Sequence, residues 1–534
     1  MYGLLVAVSA TFFFVSYFVL RPLHNYFRDP KGLRKYPNIN AIAGITNIGF
    51  MYESMQGFRS KKLAELHKVH PVIRIGPNSL SYGDINAIKD IYGHNTKCIK
   101  GEFYETLSGT HFHLADVVDK PEHARKRKVL SSAYALKNLE GWEHKVADKT
   151  ERFVRGCDKH CTAPLSKEHK RPEPKDCTFD YRAWSNFFTL DAIADIGLSE
   201  RLGFLDQGSD LVVGEKMDGT LHKVNFRDCL HSTVRAQSQI VWSAEWYKFN
   251  EKWSRYVSSA FARYWKLNEG WNDIVYHRAT QRLARYRAGE VLDDFFQALM
   301  EDKNGVPNNL PWGEIVAEVS IMMNAGSDTT AIAMNNVMFW LLKTPAVLAR
   351  LRAEIDAVLE PDEVVAPYDK VKHLPYLRAC LDESLRITPP TTFGLPRRTP
   401  AAGAPILGDF IPGDTTVSMS AYVAHRDERI FPDAETYKPE RWLADNAKEM
   451  QPYFISFSAG ARGCIGRNIS YLEQTVLLAS VVHRYDFALP HPDWQPERWE
   501  TMNLGPGPMP LKVWRREIPG AAEVVAVDEK ASLI

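Results

Sequence analysis

The stretch FSAGARGCIG occupies residues 457–466 and fits the pattern F-x-x-G-x-R-x-C-x-G. Its five fixed positions coincide by chance in roughly one chain in ten thousand of this length. Glycine tolerates tight turns, so Gly460 and Gly466 let the backbone fold closely around Cys464 and aim amide N–H groups at its sulfur. Such amides favour a thiolate, the form of cysteine that binds metal ions. Cys464 is therefore the candidate metal ligand.

Three further motifs precede this stretch. AGSDTT lies at residues 325–330, ESLR at residues 383–386 and PERW at residues 439–442. Together with the cysteine motif, in this order, they resemble the motifs of the cytochromes P-450. The resemblance covers about residues 37–515, nearly the whole chain.

The resemblance implies a fold, a cofactor and an activity. The fold would be that of the cytochromes P-450, mainly α with small β-sheets (α+β), with one haem-thiolate catalytic domain at residues 38–518. The cofactor would be haem b, whose iron takes the Cys464 thiolate as its axial ligand. The activity would be that of a monooxygenase, an oxidoreductase that inserts one oxygen atom from O2 into a small molecule.

Composition agrees with a large globular enzyme. The chain has 534 residues, 45% of them hydrophobic, and a formal net charge of +1, which gives no nucleic-acid-binding signature. The seven cysteines are scattered, as is typical of a reducing compartment. Apolar residues recur mostly at helical spacing, and β-hairpins are predicted at residues 72–81 and 406–417.

The N-terminus predicts a transmembrane anchor at residues 1–21. Residues 3–20 carry no charge, and as a helix they approach the ~30 Å thickness of the hydrocarbon core. A cleaved signal peptide is the alternative, but residues 1–3 lack the basic start that it requires. Basic residues follow the single span, so the positive-inside rule predicts that the catalytic domain lies in the cytosol. The endoplasmic reticulum is the expected membrane.

Two flanking segments complete the domain plan. Residues 22–37 are interpreted as a stiff, basic, proline-containing linker that lies against membrane lipid. Residues 519–534 lack helix or strand signals beyond a short valine run, so a disordered tail is expected there.

Within the cysteine motif, the resemblance assigns haem-binding roles to Gly460 and Gly466, which admit the flat porphyrin. Arg462 would bind a haem propionate. Phe457 would pack near the Cys464 thiolate and keep water away from it.

Outside the motif, the resemblance implies further propionate ligands. His123 and Arg127 match a family helix in which an aromatic residue precedes an arginine by four positions, although histidine replaces the commoner tryptophan and makes the site sensitive to pH. Arg398 is the third predicted ligand, and its neighbour Arg397 is the alternative.

The longest predicted helix, residues 314–343, contains the second chemical motif. Gly326 would leave space for dioxygen. Thr329 would turn its hydroxyl to the carbonyl four residues back and loosen the helix into a local bulge that admits water. Asp328 and Thr329 are the predicted catalytic pair, which delivers protons to bound oxygen. The alternative is a Ser-Asp-Thr-Thr cap that breaks the helix.

Glu383 and Arg386 are three residues apart and share a helix face, where Arg441 of the PERW motif can join them. We interpret this set as a structural ion triad. A catalytic carboxylate is the alternative, but the resemblance places the triad on the side of the haem away from the substrate.

Electrons are expected to arrive from another protein. No flavin, nicotinamide or iron–sulfur motif accompanies the cysteine motif. The resemblance therefore implies a separate NADPH-cytochrome P-450 reductase, which docks on the basic face at residues 125–128.

The substrate is constrained more weakly. The resemblance places residues 101–118, 391–395 and 502–504 around the pocket, and they are mostly apolar. Lys100 and Lys120 are the cations near them, so a neutral, lipophilic substrate is expected. An aromatic stripe at helical spacing faces either the membrane or, as is commoner, the core. The stripe comprises Trp246, Phe249, Trp253 and Tyr256.

The chain most resembles fungal microsomal members of the family, including benzoate para-hydroxylases and enzymes that tailor terpenoids or polyketides. Hydroxylation in secondary-metabolite biosynthesis is the expected function, and benzoate-type aromatic para-hydroxylation is the alternative. A haem-thiolate isomerase or dehydratase that needs no reductase is the alternative of another class. Asp328 and Thr329 argue against it, because that chemistry requires no delivered protons.

Overall fold

The computed structural model describes residues 2–131, 133–166 and 170–518 and is dominated by helices; the tail predicted at residues 519–534 lies outside the described residues. The α-helices α1 to α22 are, in order, Tyr2–Val15, Arg21–Arg28, Ile48–Met55, Arg59–His67, Ala87–Tyr92, Glu102–Leu107, Lys120–Ser131, Leu136–Gly141, Glu143–His160, Tyr181–Leu198, Phe204–Gln207, Phe226–Ile240, Tyr247–Val257, Ser259–Arg287, Phe295–Met300, Trp312–Lys343, Pro345–Asp356, Tyr368–Val371, Pro375–Ile387, Ala421–Ala424, Ala447–Met450 and Arg467–Arg484.

The strands are short and form small sheets. Strands β1 to β13 are Val72–Gly76, Ser79–Tyr82, Phe179–Asp180, Leu211–Glu215, Leu221–Asn225, Arg397–Arg398, Ala404–Ile406, Asp409–Ile411, Thr416–Met419, Tyr485–Ala488, Arg498–Glu500, Leu504–Pro506 and Pro510–Arg515. The largest sheet has the order β1-β2-β9-β6, a second has the order β10-β13-β3, and β4-β5, β7-β8 and β11-β12 are two-stranded. The predicted class, mainly α with small sheets, is confirmed.

One predicted hairpin is confirmed, and the other ends earlier in the chain than predicted. Strands β1 and β2 pair antiparallel within residues 72–82, as predicted. The second hairpin joins β7 to β8 and ends at Ile411, with Leu407 and Gly408 at positive φ in its turn. Pro412 and Gly413 interrupt the chain there, and the following β9 runs parallel to β2.

Helix α16 lies at the centre of the core. It packs against α10, α14, α19 and α22. From Ala331 to Phe339 every residue of α16 is buried, as expected for a helix that is apolar around most of its circumference. This position fixes the AGSDTT motif in the middle of the domain.

The N-terminal helix extends beyond the predicted anchor. The segment Leu5–Arg28 is long and apolar enough to cross a membrane, with a mean hydropathy of 1.6 and none of its apolar window buried in the protein. Residues 16–20 form a π-helical turn, in which the Arg21 amide donates to the Ser16 carbonyl, and helix continues through α2 although Pro22 lacks an N–H. Asp29, with φ of 45°, ends the helix. Residues 22–28 of the predicted linker are therefore helical.

The predicted aromatic stripe runs from Trp246 along α13 and lies on the surface, not in the core. The ring centroids of Tyr17 and Phe18, in the N-terminal helix, lie 5.7 and 4.9 Å from that of Trp246. The other members are 50%, 52% and 76% exposed, in the order Phe249, Trp253 and Tyr256. The stripe therefore continues the apolar surface of the N-terminal helix.

Candidate active site

The cysteine loop has a tightly constrained backbone. Ser458 and Gly460 have φ of 58° and 65°. A Cβ at Gly460 would come within 2.2 Å of the Tyr92 carbonyl oxygen, so only glycine fits there. The amide of Cys464 donates to the Phe457 carbonyl at 2.9 Å and closes the loop.

Burial dominates the pKa of Cys464. It raises the pKa of the thiol above its usual value, and the amide of Gly466 and the charges of Arg127 and Arg467 offset only part of that rise. Phe457 packs beside this position, with the Arg467 guanidinium 5.7 Å from its ring centroid. Gly466 is close enough that a Cβ there would lie 3.9 Å from the sulfur.

The cysteine loop lies near the middle of α16. Thr330 donates from Oγ1 to Ser470 Oγ of α22 at 2.9 Å. This contact places the middle of α16 beside the start of α22, which directly follows the cysteine loop. Cys464 and Ala325 are both exposed, although α16 crosses the core. An accessible thiol near a central helix fits a thiolate-ligated haem.

A cluster of buried or half-buried basic side chains borders this region. It comprises Lys100, His123, Arg127, Arg397 and Arg462. None of the five forms an ion pair with a carboxylate of the described residues. Burial and the charges of Arg397 and Arg462 hold the pKa of Lys100 well below its usual range. Burial and neighbouring cations likewise lower the pKa of Arg462 to about 10. Such a cluster calls for anions, and the two propionates of a haem fit that need.

The pKa of His123 decides where the predicted pH sensitivity of this position lies. Burial, followed by the charges of Arg462, Lys100 and Arg127, lowers its pKa to about 4. In the protein alone its ring is therefore neutral at pH 7. A neutral imidazole still donates one N–H to an anionic ligand.

The two adjacent arginines of β6 point to different surroundings. Arg397 is buried, donates to the Tyr104 hydroxyl at 2.9 Å and belongs to the cluster of basic side chains. The Nε of Arg398 lies instead 3.7 Å from the carboxylate of Asp414. Successive strand residues face opposite sides of a sheet, so the structure brings the alternative Arg397, and not the predicted Arg398, into the cluster.

The basic run at residues 125–128 is not one open surface. Lys126 is buried and pairs with Glu314 and Glu318 of α16 at 2.7 and 3.1 Å. Arg127 donates to the carbonyl of Gly463 in the cysteine loop at 2.9 Å. Only the two outer residues of the run are exposed. The expected docking face is therefore smaller than the sequence indicates.

The AGSDTT motif lies in an unbroken helix. Thr329 donates from Oγ1 to the Ala325 carbonyl at 2.8 Å, as predicted, but α16 is α-helical throughout Trp312–Lys343, so the expected bulge is absent. A Cβ at Gly326 would meet Ile193 of α10 at 2.8 Å. That glycine therefore permits close packing of α10 on α16, and its role in leaving space for dioxygen stays a prediction.

Asp328 is held as an anion by a network that the sequence did not reveal. Its carboxylate pairs with Arg182 of α10 at 2.8 Å and with His231 of α12 at 3.0 Å, and it accepts from the Asn503 amide at 3.1 Å. Burial alone would raise its pKa, but the charges and hydrogen bonds of His231 and Arg182 outweigh burial and lower it far below the usual range. Asp328 is therefore ionised at neutral pH.

The three residues of the predicted ion triad lie together. The fully buried Glu383 receives two hydrogen bonds from Arg386, at 2.8 and 2.9 Å, and one from Arg441 at 3.0 Å. Trp442 and the Lys438 amide donate to the same carboxylate at 2.9 and 3.0 Å. This network joins α19 to the PERW turn.

Sequence reasoning missed Arg182 and His231, which lie 146 and 97 positions from Asp328. No local signal identifies them, because they reach Asp328 only through the packing of α10 and α12 on α16. Sequence reasoning also interpreted Lys100 only as a cation near the substrate. Its position beside Arg397 and Arg462 depends on the fold and could not be predicted.

Comparison with known proteins agrees with this site. The cytochrome P-450 family model matches residues 46–513. A benzoate 4-monooxygenase, bphA of Aspergillus niger, is 29% identical over 84% of this chain and 86% of its own length. A cytochrome P-450 monooxygenase of Emericella nidulans, cicH, is 31% identical over 86% of this chain and 90% of its own. Another, efuB of Hormonema carpetanum, is 29% identical over 92% and 91%. The chain therefore belongs to the cytochrome P-450 family of haem-thiolate monooxygenases.

Proposed function

We propose that this enzyme hydroxylates a lipophilic small molecule in fungal secondary-metabolite biosynthesis, with electrons from NADPH through a separate cytochrome P-450 reductase. The observation that carries the proposal is the loop thiol of Cys464 beside five basic side chains that lack carboxylate partners among the described residues. Both features fit a haem, whose thiolate ligation and propionates would satisfy them together.

Each residue of the site then has a role toward the cofactor. When bound, the haem activates dioxygen and transfers one oxygen atom to the substrate. Cys464 ligates its iron, and Phe457 excludes water from the thiolate. Arg462, His123 and Arg397 bind its propionates; Arg397 replaces Arg398 in this role because of the side to which each points.

Thr329, Asp328 and His231 form the proton path in this proposal. Because the pKa of Asp328 lies far below the usual range, its carboxylate stays ionised and is neither a proton source nor a ready proton acceptor at neutral pH. Its charge orients His231, whose side chain is 43% exposed and links the path to solvent. Thr329 lies next to Asp328 on α16 and positions the water that completes the path.

Particular residues argue against each of the two alternative functions. An isomerase or dehydratase has no use for the Asp328 network, because such reactions need no external protons or electrons. Benzoate para-hydroxylation has the support of one relative's name. It requires a cation for the carboxylate, and the pocket segments predicted from sequence contain no lysine or arginine. Lys100, which adjoins the first segment, would bind the propionates.

A membrane location is part of the proposal. The segment Leu5–Arg28 has the length and hydropathy of an anchor, and the exposed aromatic stripe continues its surface. We assign the anchor to the endoplasmic reticulum, with the catalytic domain in the cytosol beside the reductase.

The test uses the full-length protein with reductase. Bulky neutral terpenoids and polyketides, and separately benzoate, are titrated while the spin state of the haem is followed. Saturable binding of neutral compounds, with product that depends on NADPH and reductase, supports the proposal. Para-hydroxylated benzoate as the only product favours the alternative, and product formed without reductase contradicts both.

A further inference from the structure

Arg59 is a buried cation that the site described above does not use. It begins α4, and its side chain is 1% exposed. Its guanidinium carbon lies 5.0 Å from the ring centroid of Trp242 and 5.3 Å from that of Phe393. Its Nη2 donates to the Thr501 carbonyl at 2.9 Å. The group is thus held between two aromatic rings and one carbonyl.

The remaining N–H groups of Arg59 have no acceptor. Both Nε and Nη1 are buried without a hydrogen bond. Glu500 is the neighbouring carboxylate, but its Oε1 is 3.9 Å from Nη2, beyond hydrogen-bond range. That carboxylate accepts instead from the amide and hydroxyl of Ser60 and from the hydroxyl of Thr392. Several buried arginines among the described residues have one nitrogen without an acceptor, but Arg59 has two. Each unmade hydrogen bond of a buried donor is costly.

Arg59 lies where three predicted pocket segments meet. Phe393 belongs to residues 391–395, and Thr501 precedes residues 502–504. Phe103 belongs to residues 101–118, and its ring centroid lies 5.1 Å from that of Trp242 and 6.0 Å from that of Phe393. The guanidinium therefore lies against residues of, or next to, these predicted pocket segments.

We propose that Arg59 binds the carboxylate of a lipophilic acid, so that the substrates of this enzyme are apolar or aromatic molecules with one acidic group. This inference rests on the proposed monooxygenase function and narrows its substrate class. The aromatic rings suit the apolar body, and the free Nε and Nη1 suit a carboxylate. Glu500 disfavours a dianion such as a phosphate ester, because its charge remains close to the bound group. The sequence pointed to a neutral substrate because Arg59 lies far along the chain from the pocket segments.

The experiment compares acids with their neutral amides. Haem-loaded full-length protein is titrated with benzoate and benzamide, cinnamate and cinnamamide, and dodecanoate and dodecanamide, and the Soret shift gives each dissociation constant. At least one acid should bind about tenfold to a hundredfold more tightly than its amide. Arg59→Met should abolish that preference and leave amide affinity unchanged. Absence of acid preference in the wild type, or its persistence in Arg59→Met, overturns the proposal.

Two further variants make the outcome decisive. Arg235→Met is the matched control, since Arg235 also lies over an aromatic ring, 5.8 Å from the centroid of Trp499, but is exposed; it should keep the acid preference. Glu500→Gln removes the competing anion and keeps Arg59, so it should tighten acid binding several-fold. If Arg59→Met fails to fold, unchanged or weaker acid binding by Glu500→Gln overturns the proposal. If acid binding by Arg59 fails, the proposed monooxygenase function can still hold. Turnover of a neutral compound that depends on NADPH and reductase would then remain intact.

Discussion

Replacing Glu383 by glutamine tests the ion triad and its link to haem binding. The carboxylate of Glu383 is fully buried and accepts from two arginines, an indole and a backbone amide. Glutamine keeps the shape but removes the charge, so the guanidinium groups of Arg386 and Arg441 lose their counter-ion in a buried site. Breaking such a pair costs about 3–5 kcal/mol, a large part of the ~5–15 kcal/mol that stabilises a typical domain.

The assay is urea unfolding of Glu383→Gln, followed by the Soret band and by tryptophan fluorescence, together with the haem content of the purified protein. We expect a free energy of unfolding lower by about 3–5 kcal/mol and a reduced haem content. Glu65→Gln is the control, because Glu65 and Lys68 form an exposed pair, and it should unfold like the wild type. Full haem content and a loss below about 1 kcal/mol in Glu383→Gln would refute the reasoning.

Thr329→Ala should keep its haem but divert electrons to hydrogen peroxide, as measured by peroxide formed per NADPH consumed; full coupling would remove Thr329 from the proton path. Because the folded-state pKa of Asp328 lies below the unfolded value of about 4, its stabilisation is complete above that pH and is lost as the pH falls through the folded value. Asp328→Asn should therefore be less stable than the wild type in urea at pH 7, and the difference should shrink below about pH 4; a constant difference would contradict the ionised state. Arg397→Met should lower haem content several-fold and Arg398→Met should not; the reverse would restore Arg398 as the propionate ligand. Deletion of residues 1–20 should release only part of the protein from membranes in a flotation assay, since the aromatic stripe remains; complete release would show that the stripe does not bind lipid.

Motifs with fixed spacing identified the centre of the site. Cys464 lies on the loop that its glycines predict, and the sequence placed Glu383 beside Arg386 because residues three apart share a helix face. Such signals are local, so they survive without knowledge of how helices pack.

The sequence alone could not identify side-chain partners that only tertiary packing brings together. The ionised state of Asp328 follows from Arg182 and His231, which belong to two other helices. Arg397 and Arg398 are chemically identical neighbours, and only the orientation of β6 separates their roles. The sequence indicates only space for dioxygen at Gly326, because the close approach of Ile193 depends on how α10 packs on α16.

The most direct test of the account is the spectrum of the reduced, carbon monoxide-bound protein, recorded for the wild type and for Cys464→Ser. The account predicts the thiolate-type spectrum for the wild type and its loss in the variant, since Cys464 is the proposed iron ligand. Cys161→Ser is the control, because Cys161 lies at the end of α9, outside the site, and should leave the spectrum unchanged. A thiolate-type spectrum that persists in Cys464→Ser would contradict the account.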